Sequence, residues 1–311
     1  MHGLLIVDKP AGITSTDVLR RLGRFLRGHK LGHGGTLDPF ATGLLPVLVG
    51  HATRLLPFLH LGEKTYRGRV RLGVATSTLD RDGEIVRTAP VPEEWSMARV
   101  VAEVLPRLQG EIQQRVPAFA AVRVQGERLH ARARRGEEVE RPVRTVQIHE
   151  LVLESWDPPE LTLRVRCGSG TYVRSLAEQL GELLGTVAHL RELRRLAVGA
   201  FTVEQAVLLD GLTPAEVRRR LIPPAEALPH LPAVILDRAA EQDVRCGRPL
   251  GAAWLPAAAK AGAALRLLAA DGQLLAIGEV QPEQQGLRVL RGFPTEGPLT
   301  DARPGPRPES G

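Results

Sequence analysis

Asp38 is the residue in this chain whose setting most suggests chemistry. It closes Gly32-His33-Gly34-Gly35-Thr36-Leu37-Asp38-Pro39, and Phe40-Ala41-Thr42-Gly43-Leu44-Leu45-Pro46 follows directly. Three glycines permit unusual dihedrals and let the backbone approach a sugar or phosphate closely. Pro39 restricts Asp38 to extended backbone. A carboxylate held in such a loop can act as a nucleophile or a general base. The competing reading is a plain Asp-Pro turn. His29 and His33 stand four apart, a spacing that suits a metal on a helix, but Gly32, Gly34 and Gly35 argue against a helix there. The two cysteines, Cys167 and Cys246, are too far apart and too few for a thiolate site or a disulfide framework. We therefore expect no metal.

Two further segments carry candidate groups. In Gly170-Thr171-Tyr172-Val173-Arg174, Thr171 is the expected N-cap of a helix, which places Arg174 in the first turn. The helix dipole disfavours a cation there by roughly 0.3–1 kcal/mol. An arginine at that end calls for a compensating anion, a carboxylate or a phosphate, and Asp38 is a candidate; the alternative is an exposed arginine. Lys64-Thr65-Tyr66 opens a strand. Tyr66 has a ring that could lie flat on a base and a hydroxyl that could join a proton transfer, although taken alone it reads more simply as a core tyrosine.

The elements that must position these groups can be read from periodicity. Gly3 to Asp8 is a first strand, and Lys9-Pro10-Ala11-Gly12 a turn. Ser15 or Thr16 caps a helix with Val18, Leu19, Leu22, Phe25 and Leu26 on one face. Leu44 to Val49 is an apolar stretch, and a short helical run ends near His60. From Thr65 to Val74, Tyr66, Gly68, Val70 and Leu72 alternate with Arg67, Arg69 and Arg71, the pattern of a half-buried strand. Asp80-Arg81-Asp82-Gly83 is a turn, a helix is expected from about 92 to 108, and Leu161 to Arg166 is a strand. Another strand or turn falls around Leu193 to Phe201. Prolines 223, 224, 229 and 232 mark a linker near 229. Beyond it, short strands at 233–237, 265–268, 274–280 and 287–290, with Asp271-Gly272 as a hairpin turn, indicate a small β-rich domain. The proline- and glycine-rich residues 299–311 read as a disordered tail.

Composition limits the partner. Hydrophobic residues make up 43% and charged residues 24%, ordinary for a globular protein with a sizeable core. No apolar run is long enough to cross a bilayer, and the N-terminus reads as a strand rather than a signal peptide, so a cytoplasmic location is expected. The formal charge of +6 suits a partner with phosphates. Residues 115–144 hold the densest arginines, Arg115, Arg123, Arg128, Arg132, Arg134, Arg135, Arg141 and Arg144, diluted by glutamates. Aromatics are only 4%, which favours reading shape and phosphates over stacking many bases.

Together, Lys9 to Ser15, Gly32 to Pro46, Lys64-Thr65-Tyr66 and Gly170 to Arg174 resemble the TruB family of pseudouridine synthases, in order and at compatible spacing. The long second motif is the most specific. The resemblance implies an α+β fold: a pseudouridine synthase domain with a mixed, largely antiparallel sheet and a central cleft over residues 1–228. It also implies an RNA-binding thumb inserted at about 110–150. A weaker likeness implies a PUA-like β-barrel over 229–298. The implied reaction is isomerisation of uridine 55 in the T loop of tRNA, with no cofactor and no metal. Asp38 would be the catalytic carboxylate, attacking C1′ or removing a proton from C2′. Tyr66 would stack on the base, and Arg174 would pair with Asp38. His33 would fill the space that the flipped nucleotide leaves, Leu193 would pack at the base pocket, and Tyr172 would join the substrate-binding set. The implied partner is the T arm and elbow of tRNA, without guide RNA, bound by a monomer. The chain departs from the family pattern at Thr76-Ser77-Thr78-Leu79-Asp80, where the family often reads Thr-Asp-Thr-Asp-Asp, and in the thumb at Val116 to Arg123, where hydroxyls are lost. Two rivals remain: a guide-RNA-dependent rRNA synthase, and a tRNA-folding chaperone without catalysis.

Overall fold

The computed structural model describes residues 1–59, 62–120, 122–124, 127–129, 132, 135, 137, 140–257, 260–282 and 286–294. The expected tail and parts of the thumb, Arg134 among them, lie outside the described residues. The chain divides into two compact units, one from Gly3 to Ile222 and one from Pro223 onward.

The first unit is built on a mixed sheet. Its strands are β1 (Gly3–Lys9), β2 (Leu31–His33), β3 (Thr42–Val49), β4 (Lys64–Leu72), and the small β5–β6 hairpin (Val74–Thr76, Ile85–Thr88) beside it. Then come β7 (Gly110–Arg115), the short β8 and β9 (Arg123–Val124, Glu127–Arg128), β10 (Val143–Asp157), β11 (Glu160–Cys167), β12 (Ala188–Val198), β13 (Phe201–Thr202) and β14 (Val207–Leu208). The main sheet runs β14-β1-β3-β12-β4-β11-β10-β7, with β2 beside β3 and β13 beside β12. Among the described residues only β1–β14 and β3–β12 of this sheet pair in parallel, so the sheet is largely antiparallel, as expected.

Strand β4 shows why the alternating pattern was readable. Tyr66, Gly68, Val70 and Leu72 face a core under the Val173–Leu183 helix, while Arg67 and Arg69 face outward. The Ser15–Gly23 helix packs on the other flank through Val18 and Leu22. Its N-cap is Thr14, not Ser15 or Thr16: Thr14 and Asp17 form a reciprocal capping box, while the Ser15 hydroxyl is buried and serves another loop. The helix expected at 92–108 begins only at Met97, after the Ser96 cap, and changes pitch twice before Leu108.

Strand β3 has an interruption that matters for the site. Pro46 pairs with Ile6 of β1, yet proline cannot donate on a second side. On that other side β12 pairs only at Thr42 and Gly43, and β2 only at Val47 to Val49. The gap between them is filled by side chain and loop: Arg195 Nε donates to the Leu44 carbonyl at 2.7 Å, and Gly34 N donates to the Pro46 carbonyl at 2.9 Å.

In the second unit, β15 (Ala233–Ile235), β16 (Ala264–Leu268), β17 (Leu274–Val280) and β18 (Leu287–Gly292) form one four-stranded sheet in that order. The expected barrel is corrected here. Among the described residues β15 and β18 are not paired, so the sheet stays open, and an unforeseen helix, Arg238–Arg245, packs Ala240 and Val244 into its core. That helix was hidden because Asp237, its N-cap, was read as the end of a strand.

Gly43 carries a prediction. Its φ is +101°, and a Cβ there would lie 2.2 Å from the Arg195 carbonyl oxygen. Gly43→Ala therefore lowers the unfolding free energy by more than about 2 kcal/mol in urea titration. A change within about 0.5 kcal/mol would show that β12 yields easily at this point.

Candidate active site

The Asp38 loop is held from behind by two buried side chains. Lys9, fully buried, donates from Nζ to the carbonyls of Pro10 (2.9 Å), Ile13 (2.7 Å) and Pro39 (3.2 Å). Burial lowers its pKa to about 8, with Asp38 opposing; three carbonyl acceptors keep the ammonium form in place at neutral pH. The Ser15 hydroxyl accepts from Leu37 N at 2.9 Å, and Gly12 N donates to the Pro39 carbonyl at 2.8 Å. The turn after β1 thus clamps both sides of Asp38.

Arg174 meets Asp38 from the opposite side. Its Nε lies 3.0 Å from Asp38 Oδ2 and its Nη2 3.2 Å from Oδ1. The same guanidinium reaches Asp80 Oδ2 through Nη1 at 3.3 Å and donates to the carbonyls of Thr78 (3.0 Å) and Phe119 (3.2 Å). The Arg174 side chain is 5% exposed and that of Asp80 7%. Asp80 is in turn held by the Thr78 hydroxyl at 2.6 Å and by Asp82 N at 3.1 Å. The helix start differs from the expectation. Tyr172, not Thr171, is the N-cap, and it has no side-chain cap of its own. Gln114, buried on β7, accepts from Tyr172 N at 3.0 Å instead. Arg174 still falls in the first turn, where the dipole opposes a cation, and two carboxylates rather than one offset that.

Asp38 is the exposed member of the group, with 34% of its side chain open to a cavity of about 330 Å³. Burial by the surrounding protein raises its carboxyl above the usual range; Arg174 and Lys9 pull it down, and Asp80 and Asp82 push it up. Tyr66, Tyr172, Arg174 and Leu193 line the same cavity, together with Lys64, Phe119 and Arg195. Tyr66 belongs to both readings offered above: it is 8% exposed within the main core, and it also borders the cavity. Burial raises its hydroxyl, and Arg195, which hydrogen-bonds it, opposes the rise. His33 is not part of the cavity wall. It sits half-buried on β2, its Nδ1 buried without a hydrogen-bond partner, and burial lowers its pKa.

The sequence reading missed Asp80, Arg195 and Gln114 as supports. Asp80 was read only as part of a turn, although an arginine at a helix start could have been assigned two anions. Arg195 was visible in principle: it is two residues from Leu193 on one strand, hence on the same face. A larger cavity of about 500 Å³ lies behind Phe40. Arg67, Arg69 and Arg194 on its wall are already paired with Glu154, Glu160 and Asp8. The smaller cavity gathers the groups able to do chemistry: an accessible carboxylate, a buried guanidinium and a tyrosine ring.

The comparisons with known proteins agree with this arrangement. Residues 23–173 match the model of the TruB family pseudouridylate synthase N-terminal domain, and residues 174–229 that of the tRNA pseudouridylate synthase B C-terminal domain. The chain is 46% identical to tRNA pseudouridine synthase B of Parasynechococcus marenigrum over 91% of its own length and 94% of the relative's. It is 44% identical to the protein of that name from Syntrophobacter fumaroxidans, covering 94% and 97%. Among solved structures, it resembles a chain of a Cbf5-Nop10-Gar1 complex with a TM-score of 0.69 and 28% identity, covering 94% of this chain and 84% of that one. An H/ACA ribonucleoprotein bound to a substrate RNA containing 2′-deoxyuridine gives 0.70 and 26%, over 94% and 85%. Across sequence, fold and site, then, the chain belongs to the TruB family of pseudouridine synthases.

Proposed function

We propose that this enzyme isomerises uridine to pseudouridine in tRNA, that its target is uridine 55 of the T loop, and that it works without a guide RNA. The observation that carries this reading is the accessible Asp38 carboxylate, clamped by buried Arg174 and facing Tyr66 across one cavity. The relatives that share most of the chain's length are named for tRNA, which supports a free tRNA as substrate. The H/ACA assemblies are similar in fold at lower identity.

The reaction breaks the C1′–N1 bond, turns the base and joins C1′ to C5, with loss of the C5 proton. It is redox-neutral and calls for no cofactor. The target must leave the base stack first, at a cost of a few kcal/mol. Asp38 then acts as a carboxylate, on C1′ or on the C2′ proton; either route needs it ionised. Tyr66 offers its ring to the base, and as a phenolate it takes the departing C5 proton; burial raises its pKa and the Arg195 hydrogen bond opposes that rise. Leu193 and Tyr172 shape the pocket, and His33 takes the place of the flipped nucleotide. The insertion at about 110–150 serves as the RNA-binding thumb, and residues 229–298 as a PUA-like RNA-binding module. No helix among the described residues is long and apolar enough to cross a membrane, and we place the enzyme in the cytoplasm as a monomer.

The direct test uses a tRNA transcript tritiated at C5 of uridine, without guide RNA or added metal. Wild type releases about one tritium per tRNA, while Asp38→Asn releases none. No release from the wild type would overturn the guide-free reading. Arg174→Ala loses turnover by 100-fold or more yet keeps its tRNA Kd within about threefold by filter binding; normal turnover would remove the ion pair from the mechanism.

The pH dependence has a defined sign. Activity requires ionised Asp38, and burial raises its pKa, so kcat/KM falls as pH drops through a value above that of an ordinary carboxylate. Arg174 favours the ionised form. In Arg174→Lys, which keeps a charge but loses the fork, the acid limb moves to higher pH. A limb that stays in place would mean that another group controls it.

A further inference from the structure

Within the densest run of arginine in the sequence, three of the described arginines are held by carboxylates. Arg132 and Arg135 pair with Glu137, Arg135 also with Glu127, and Arg141 forks Glu178 at 2.7 and 2.8 Å. A different surface of the first unit keeps its charge. Arg24, Arg27 and Lys30 follow the Ser15–Gly23 helix and are exposed, and the Pro214–Arg220 helix ends in Arg218, Arg219 and Arg220, also exposed. The two stretches share one core, in which Val18, Leu22 and Leu26 pack with Leu212 and Val217. Arg21 ties them further, 3.2 Å from Asp210.

None of the six cations forms an ion pair within the described residues. The neighbouring carboxylates are already engaged. Asp17 accepts from Thr14 and Arg20, Asp210 from Arg21, and Glu216 from the amide and hydroxyl of Thr213 at 2.9 and 2.8 Å. Helix C-termini tolerate cations, and Glu216 attracts Arg219 and Arg220, but six exposed cations on two segments of one core, none of them in an ion pair within the described residues, are the footprint of a polyanion. The nearby aromatic, Phe25, is half-buried against the core, which leaves no platform for stacked bases. The surface suits phosphates, not sequence.

The helix connects the first of these stretches to the site. Ser15, at the helix start, holds the Asp38 loop through Leu37. The helix then carries the chain about 14 Å, at about 1.5 Å per residue, to Arg24. A duplex presents one charge per roughly 1.7 Å of axis, so a polyanion covering that distance passes several phosphates. We propose that this surface binds the phosphate backbone of the tRNA outside the arm that delivers the target uridine. The proposal rests on the tRNA reading above and adds a second contact to it.

The test compares a full-length tRNA transcript with an isolated T-arm hairpin, both tritiated, on wild type and on Arg24→Ala/Arg27→Ala/Arg218→Ala/Arg219→Ala. For full-length tRNA, the variant's Kd rises roughly tenfold and the slope of log Kd against log salt becomes shallower by about 2–4. Hairpin affinity and single-turnover release at saturating RNA stay unchanged, which also reports an intact fold. Unchanged affinity and slope on full-length tRNA would overturn the proposal. So would an equal loss on the hairpin, which would mean general attraction rather than a contact beyond the arm. Should the fourfold variant lose hairpin turnover, the two paired variants are read by the same criteria. Failure of the catalytic reading would show separately, as no release from the hairpin by the wild type.

Discussion

The fold of the site depends on one buried cation. Arg174 sits at the positive end of a helix, almost without solvent, and directs its donors to two carboxylates and two carbonyls. Such a group weakens a protein unless every donor is satisfied, because the desolvation of a guanidinium exceeds what a single partner returns. The four partners come from three parts of the chain: the glycine-rich loop, the turn after β5, and the segment at Phe119. Satisfying Arg174 therefore brings these three segments to one point. Asp38, the partner that remains open to the cavity, is then a carboxylate on a rigid support.

A second constraint comes from the sheet. Proline in β3 and the limited reach of β12 and β2 leave backbone groups that need partners. Arg195 answers with its guanidinium, donating to Leu44 and, at 3.0 Å, to the Gly35 carbonyl. The glycine-rich loop is thereby drawn onto the sheet, beside Tyr66. Lys9 performs the same service from the other side, since its three acceptors close the turn after β1 around Pro39. Two buried cations that touch no carboxylate directly thus shape the loop, and a third, Arg174, aligns its acid.

The distribution of charge shows how composition and surface differ. The +6 formal charge is a property of the whole chain. In the segment from 115 to 144, Arg132 and Arg135 meet glutamates a few residues away, and Arg141 meets Glu178 on a helix. Those that follow the Ser15–Gly23 helix and those that end the Pro214–Arg220 helix belong to two distant segments that share an apolar core. A count along the sequence ranks the first group higher, whereas the second group is exposed and forms no ion pair within the described residues.

The sequence by itself determined the strand β4, because alternation with period two puts Tyr66, Gly68 and Val70 on one face regardless of context. It placed Asp38 in a glycine-rich loop and Arg174 in the first turn of a helix, where an anion would offset the dipole. These are local properties, set by residue type and spacing. The tertiary structure alone decided that the anion is shared between Asp38 and Asp80, that Gln114 replaces Thr171 at the helix start, and that Arg195 completes β3. It also decided that His33 stands off the cavity wall and that, among the described residues, the small C-terminal sheet stays open. Each depends on groups distant in the chain competing for the same buried donors and acceptors, and no local pattern records which of them arrives.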